Sequence, residues 1–465
     1  MRRNGIMPVF TRTVSLPRPV RDVFAWHERP GALERLTPPW ERVEILKQSG
    51  GIHEGGRVEL RTKIGPFWSR WEVEHRGYDE GRVFYDVLQS GPFPSWEHEH
   101  RFRADGPADC TLTDAIKYEI PFGWLGRLGS GLAQRKLERL FAYRHETLAQ
   151  DLAMATYYGS VRNMRFLVSG ASGVVGRALV PFLRSQGHEV VRLVRQKTRM
   201  ADEIFWDPLK GVLDLAHARP FDAVVHLAGE NIAGRRWTKA QREKILASRV
   251  LGTRTLVTAL DRLRHRPFVL VTASATGFYG DGGGGKLFED DKRGSGFLPE
   301  VCEAWEREAA VARGFGIRVA KLRTGVVLTP AGGALQKLLP LFCAGLGGRI
   351  GSGGQWMSWI SVDDLLGAIY HAVLDQRCNG PVNAVSPNPV TNAEFTATLS
   401  RVLRRPAFLP APSLALRAAF GAMAEETLLT SQRVLPGRLM ESQYVFRHED
   451  LESALRHVLG RSAVR

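Results

Sequence analysis

The segment Met164–Arg195 reads MRFLVSGASGVVGRALVPFLRSQGHEVVRLVR. Phe166-Leu167-Val168 is an apolar run short enough for a buried parallel strand, and Gly170, Gly173 and Gly176 follow it. Val174, Val175, Ala178, Leu179, Phe182 and Leu183 then recur at helical spacing until Gly187, and Val190–Val194 supplies a second apolar strand. This is half of a βαβ unit with a glycine turn. The first glycine permits a tight turn off the strand, the second lets a pyrophosphate approach the backbone, and the third lets helix pack on strand. The phosphates would rest on the positive end of the helix. Gly170, Ala171, Ser172, Gly173, Val174, Val175 and Gly176 are therefore the expected dinucleotide cradle.

The residues after the second strand select the dinucleotide. A carboxylate there would bond the ribose 2′-hydroxyl of NAD, whereas arginine accommodates the extra phosphate of NADP. The chain offers Arg192, Arg195, Lys197 and Arg199, with no carboxylate before Asp202. A planar guanidinium suits a phosphate dianion, so NADP(H) is the expected cofactor and Arg195 its first contact.

Downstream, Phe221–Gly229 reads as another buried strand, ending in Leu227-Ala228-Gly229 on the cofactor side. Its polar continuation holds Arg235 and Arg236, and a helix is expected over 239–260. A strand from Phe268 to Ala273 delivers Ser274 and then Tyr279 in SATGFYG. The loop GDGGGGK (Gly280–Lys286) has Leu287 where a P-loop needs Ser or Thr, and no helix pattern follows it. A helix is expected around Glu300–Glu308, a strand over Val319–Leu328, and a late strand over Gly380–Val385.

The Gly-x-x-Gly-x-x-Gly spacing resembles the extended and atypical short-chain dehydrogenases. The segments SATGFYG, Trp305-Glu306, GGRIGSGGQWMSWISVDD (Gly347–Asp364) and GPVNAV (Gly380–Val385) narrow the resemblance to the epimerase-like branch of that superfamily. It implies a doubly wound parallel sheet over 161–410 and a small C-terminal cap over 411–465. Ser274 is then the serine that bonds a substrate oxygen, and Arg235, Arg236 and Trp356 line the substrate side. The family's Tyr-x-x-x-Lys pair, in which lysine lowers the tyrosine pKa for proton exchange, is missing: Cys302 and Glu306 stand at those positions. Tyr279 is the substitute phenol the sequence offers.

Before this half, residues 9–120 read as a strand, helical segments broken near Pro30-Gly31, and six short strands separated by turns. A long amphipathic helix with Leu137, Leu140, Phe141, Leu148 and Leu152 on one stripe closes the run. That order, with LTPPW (Leu36–Trp40) and GPFPSWEHEH (Gly91–His100), resembles the α+β helix-grip fold of START-like (SRPBCC) domains, assigned here to 1–160. The resemblance implies a cavity for an apolar ligand. His98 and His100 share a strand face but show no third ligand at a definable spacing, and His145-Glu146 lacks a second histidine, so no metal site is expected.

The 465 residues carry a net charge of +16, about +2 over the first 160 and about +14 beyond. The arginines are scattered and belong to no nucleic-acid module. Four distant cysteines form neither a disulfide framework nor a zinc motif. No apolar run approaches a membrane span, and MRRNGIMPVFTR lacks the apolar core of a signal peptide. A cytoplasmic protein is expected, with a small-molecule substrate and neither nucleic acid nor membrane as partner; a homo-oligomer stays open. Two activities fit: an NADP-dependent oxidoreductase or epimerase on a hydroxyl- or carbonyl-bearing, nucleotide-sugar-like substrate, or an NADP-binding sensor or apolar-ligand carrier that lost catalysis with the dyad.

Overall fold

A computed structural model describes residues 8–120, 130–159 and 161–461. The first seven residues of the stretch used for the signal-peptide expectation lie outside them. The chain divides into two compact units, Met1–Arg162 with Pro181–Gly187 and Ser462–Arg465, and Asn163–Val180 with His188–Arg461.

The first unit is an antiparallel sheet with a helix across it. Its strands are β1 (Val9–Leu16), β2 (Val43–Ser49), β3 (Arg57–Ile64), β4 (Phe67–Asp79), β5 (Val83–Ser90), β6 (Ser95–Ala104) and β7 (Cys110–Glu119). They lie in the order β1-β7-β6-β5-β4-β3-β2, so consecutive strands from β2 to β7 pair as hairpins and the unit's first strand pairs with its last. The helical segment before β2 breaks at Gly31, whose φ of 88° few other residues would accept, into Val20–Glu28 and Ala32–Arg35.

The helix Ser130–Tyr158 buries Leu137, Phe141, Leu148 and Leu152 of the expected stripe, leaves Leu140 half-buried, and adds the buried His145. These residues meet two separate apolar clusters. Phe10, Ile116 and Tyr118 gather around Leu137 and Phe141, while Leu16, Phe24, Trp26, Phe84, Phe102 and Leu112 gather around Leu148 and Leu152. Between the two, the inner face of the sheet carries His75, His98, His100 and Asp114. The helix is also fastened by charge, since Arg35 donates Nε and Nη2 to the two carboxylate oxygens of Asp151 at 2.7 and 2.9 Å, both side chains buried.

The second unit is the expected parallel sheet. Strands β8 (Arg165–Ser169), β9 (Glu189–Val194), β10 (Glu203–Asp207), β11 (Val212–Leu213), β12 (Ala223–His226) and β13 (Val269–Ala275) join Arg318–Thr324 and Gly380–Ala384. The order is β11-β10-β9-β8-β12-β13, then those two strands, with only the β10–β11 pair antiparallel. Buried on both faces, β8, β12 and β13 read as continuous apolar runs, as parallel strands do. The winding reverses between β8 and β12, which makes their carboxyl ends the topological switch point.

One expected strand is two. Val319–Leu328 divides at Gly325 into Arg318–Thr324, in the main sheet, and Val326–Leu328, which pairs with Trp359–Ser361. A Cβ on Gly325 would stand 2.5 Å from the Ser358 carbonyl oxygen, so only glycine lets the chain turn from one sheet to the other there. GDGGGGK leads into the two-residue strand Lys286–Leu287 rather than a helix, as its composition suggests. All four cysteines are free thiols, and no described helix is long and apolar enough to cross a membrane.

Asp151→Ala should lower the stability of the first unit by about 3–5 kcal/mol, because it removes the buried carboxylate that accepts two hydrogen bonds from the Arg35 guanidinium. Denaturant unfolding followed by tryptophan fluorescence measures it; a loss under about 1 kcal/mol would mean the pair is solvated.

Candidate active site

The glycine turn is built by close backbone approach. Gly170, at φ 73°, has no room for a side chain: a Cβ would lie 2.7 Å from Leu227 C and 2.8 Å from Ala228 N. The β8 turn therefore touches the end of β12, and Leu227 N donates to Ser169 O at 3.2 Å. At Gly176 a Cβ would meet Gly170 O at 2.2 Å and Ala171 Cα at 2.7 Å, so this glycine seats the helix Val174–Ser185 on the turn. Ala171, Ser172, Gly173, Val174 and Val175 form the outer rim, with Ser172 and Gly173 exposed. Leu227 and Ala228 lie against Gly170 at the switch point, and Gly229 follows beside Arg249.

A buried histidine that sequence reading passed over braces this junction. His226 Nδ1 lies 2.6 Å from Ser169 Oγ and its Nε2 3.0 Å from Thr253 Oγ1, tying β8, β12 and the helix Lys239–Asp261 together. Burial pushes its pKa down to about 4, and the nearby Arg249 charge adds to that. The ring stays neutral.

At the end of β9 the four basic residues separate. Arg192 is taken up by Asp202, at 2.9 and 3.1 Å, and by Glu203 at 3.1 Å. Those pairings also engage both nearby carboxylates, Glu203 accepting from Arg199 N and Met200 N as well. Arg195, Lys197 and Arg199 are exposed.

Ser274, at the end of β13, is buried and donates to Glu306 Oε1 at 2.8 Å. Glu306, in the helix Phe297–Ala310, accepts two bonds from Arg323 at 2.8 and 3.1 Å and lies 3.1 Å from Lys321 Nζ. Burial opposes its ionisation, yet the bonds and charge of Arg323, with Lys321, outweigh burial and hold the carboxyl below the ordinary value. Arg323 also donates to the Tyr279 hydroxyl at 3.0 Å and sits 3.5 Å above the Phe278 ring. Tyr279 in turn donates to Asn383 Oδ1 at 2.7 Å. Burial drives this phenol up to about 12 against the opposing pull of Arg323. Ser274 and Tyr279 thus belong to one buried chain of hydrogen bonds with Glu306 and Arg323 at its centre. Cys302, pushed up to about 11 by burial and then by Glu306, is no thiolate at neutral pH.

The C-terminal segment reaches this turn. Thr276 Oγ1 donates to Gln432 Oε1 at 2.9 Å, and Gln432 Nε2 donates to Gly280 O. Beside it, Arg433 lies 4.2 Å over the half-buried Trp356 ring, and its buried Nε has no hydrogen-bond acceptor among the described residues. Trp356 was legible in the sequence; Arg433 was not. Arg235 and Arg236 are exposed, with Arg236 near Gly421.

Residues 166–384 match the model of the NAD dependent epimerase/dehydratase family. The epimerase family protein Mb2239 of Mycobacterium bovis is 42% identical over 294 residues, covering 63% of this chain and 97% of that protein. This chain belongs to the epimerase family. Residues 7–153 match the model for polyketide cyclase / dehydrase and lipid transport, and residues 411–458 match a domain of unknown function. A crystal structure described as the nucleoside-diphosphate sugar epimerase from Corynebacterium glutamicum superposes with a TM-score of 0.80 at 34% identity, covering 97% of this chain and 90% of that one. The human epimerase family protein SDR39U1 (isoform 2), solved with NADPH, gives 0.59 at 35% identity over 63% of this chain and 99% of that one.

In this epimerase-family chain, Glu306→Gln should destabilise the second unit by leaving Arg323 without its buried counter-ion. Because the folded carboxyl titrates below the ordinary 4.5, its contribution is present above pH 4.5 and lost as pH falls through the folded value. The stability gap between wild type and variant, from urea midpoints, should therefore narrow in acid; a gap independent of pH would refute the ion-pair account.

Proposed function

We propose that this protein is an NADP(H)-dependent oxidoreductase or epimerase acting on a small substrate that bears a hydroxyl or carbonyl group, with a nucleotide-sugar-like anion as the favoured class. The observation that carries the cofactor choice is at the end of β9, where Arg195 is exposed and Asp202 is held by Arg192. An arginine without a competing carboxylate favours the 2′-phosphate. The related human protein solved with NADPH supports the same choice. The cofactor would lie along Gly170–Gly176 and against Leu227, Ala228 and Gly229, its pyrophosphate at the first turn of the helix Val174–Ser185.

Ser274 is the residue we assign to the substrate oxygen. Its hydrogen goes to Glu306, so its lone pairs are what a substrate hydroxyl would meet. Tyr279 we assign a positioning role, because its hydrogen is committed to Asn383 and its pKa lies far above neutrality. Arg433, stacked on Trp356, suits an anionic part of the substrate. The related Corynebacterium protein, described as a nucleoside-diphosphate sugar epimerase, supports that class. The second reading, a nucleotide-binding sensor without turnover, rests on Cys302 and Glu306 standing where the acid–base pair is expected, neither of them placed to exchange a proton.

NADPH should bind more tightly than NADH by fluorescence titration, and Arg195→Glu should weaken NADPH by about 10–100-fold, the range for a charge-assisted bond, while leaving NADH little changed. Equal loss for both cofactors would sink the assignment of Arg195. On any substrate turned over from a panel of nucleotide sugars and carbonyl compounds, Ser274→Ala should reduce kcat/KM at least about tenfold. Tyr279→Phe should retain most turnover and lose stability. NADPH binding without turnover across the panel would favour the sensor reading.

A further inference from the structure

The first unit contains a constellation of imidazoles and carboxylates that no dinucleotide chemistry uses, and strand register creates it. His75 on β4 lies opposite Asp86 on β5, Asp86 lies opposite His98 on β6, and His100, two residues on, lies opposite Asp114 on β7. Residues two apart share a face of a strand, so all five side chains gather on one face of four adjacent strands. His145 enters from the long helix, with Nε2 2.5 Å from Asp114 Oδ2. His75, His98, His100, Asp114 and His145 are all more than nine-tenths buried.

The two carboxylates do different things. Asp114 meets one nitrogen of two strand histidines: His98 Nε2 is hydrogen-bonded to Asp114 Oδ1 at 2.9 Å, and His100 Nδ1 is 2.7 Å from the same oxygen. The opposite nitrogens turn toward Asp86. His98 Nδ1 stands 3.6 Å and His100 Nε2 3.3 Å from Asp86 Oδ2. These separations are long for charge-assisted hydrogen bonds, which run about 2.7–2.9 Å. They are close to the edge of a coordination polyhedron, since donors about 2.0–2.1 Å from a tetrahedral centre stand about 3.3 Å apart. One donor atom from each of Asp86, His98 and His100 lies within 4.8 Å of the others. On the far side, Asp86 Oδ1 lies 2.8 Å from His75 Nδ1, but neither atom makes a hydrogen bond of acceptable geometry among the described residues.

A self-satisfied polar cluster is the plain alternative. It accounts for Asp114, with its ring of imidazoles. It accounts less fully for Asp86, whose Oδ2 meets His100 Nε2 in one long hydrogen bond of 3.3 Å with His98 Nδ1 at 3.6 Å, and whose Oδ1 faces His75 Nδ1 with misaligned geometry. A cation between Asp86, His98 and His100 accounts for both. Asp114 would then be the outer carboxylate that fixes the histidine tautomers, the usual partner of a metal-bound imidazole.

We propose that the first unit binds one divalent transition-metal ion, of the zinc or ferrous type, through Asp86, His98 and His100, with Asp114 and His75 orienting these ligands. Two histidines and one carboxylate select such ions over calcium or magnesium, which prefer all-oxygen sites. Three protein ligands leave at least one position for water or a small ligand. The site is independent of the cofactor reading above and stands or falls separately.

The test uses the full, tag-free chain, stripped with chelator and titrated with Zn²⁺ and with Co²⁺ as a spectroscopic probe. One ion per chain should bind, Co²⁺ should give visible ligand-field absorption, and Zn²⁺ should raise the melting temperature of the first unit. The double variant His98→Ala, His100→Ala should abolish the Co²⁺ spectrum with its circular dichroism unchanged. Asp114→Asn should weaken binding about 10–100-fold, and the exposed His53→Ala should change nothing. Substoichiometric binding, or equal binding by the folded double variant, overturns the proposal. Should the double variant not fold, Asp86→Asn decides, its side chain being one-quarter exposed: unchanged affinity overturns the site, and a loss of at least about tenfold supports it.

Discussion

The contact between the turn after β8 and the end of β12 governs the second unit. Gly170 approaches Leu227 and Ala228 so closely that a methyl group would collide with backbone, and Gly176 stands equally close to Gly170 O. Backbone cannot yield as a flexible side chain can, so the geometry is set by two residues without side chains. It brings β8 and β12 together at the reversal of the sheet, starts the helix Val174–Ser185 beside the turn, and leaves Ser172 and Gly173 exposed. His226 reinforces the same junction from inside as a neutral ring bonded on both nitrogens.

A buried ion pair occupies the place where the short-chain dehydrogenase resemblance puts a proton-exchanging pair. Glu306 and Arg323 satisfy each other, and their remaining hydrogen-bonding capacity orders Ser274 on one side and Tyr279 on the other. A lysine beside a tyrosine lowers the phenol pKa. Here the arginine does pull Tyr279 downward, but burial wins and the phenol ends near 12. A cation beside a phenol can therefore support positioning without proton transfer where burial outweighs its charge.

The first unit shows how register can assemble chemistry from unremarkable pieces. His98 and His100 alone are alternate residues of one strand. Pairing with β5 and β7 sets Asp86 and Asp114 beside them, and the helical stripe adds His145 between Phe141 and Leu148. Two apolar clusters bound this polar row at either end, while the Asp86 side chain stays one-quarter exposed. Alongside these apolar clusters the inner face carries an imidazole–carboxylate band.

The sequence alone determined the features that depend on neighbours along the chain. The βαβ glycine turn, the apolar runs of the parallel strands, the long helix with its stripe and the basic residues after β9 are all local patterns, and local patterns survive in one dimension. Arg192 and Asp202, ten residues apart, already strain that limit. Tertiary structure decided what depends on distant partners: Ser274 with Glu306 across 32 positions, Tyr279 with Asn383 across 104, and Thr276 with Gln432 across 156. It also divided Val319–Leu328 at Gly325, because the obstacle there is Ser358, a residue no window around that strand includes. Hydrogen bonds and ion pairs act over about 3 Å in space whatever their separation in the chain, so only folding could settle which of these side chains meet.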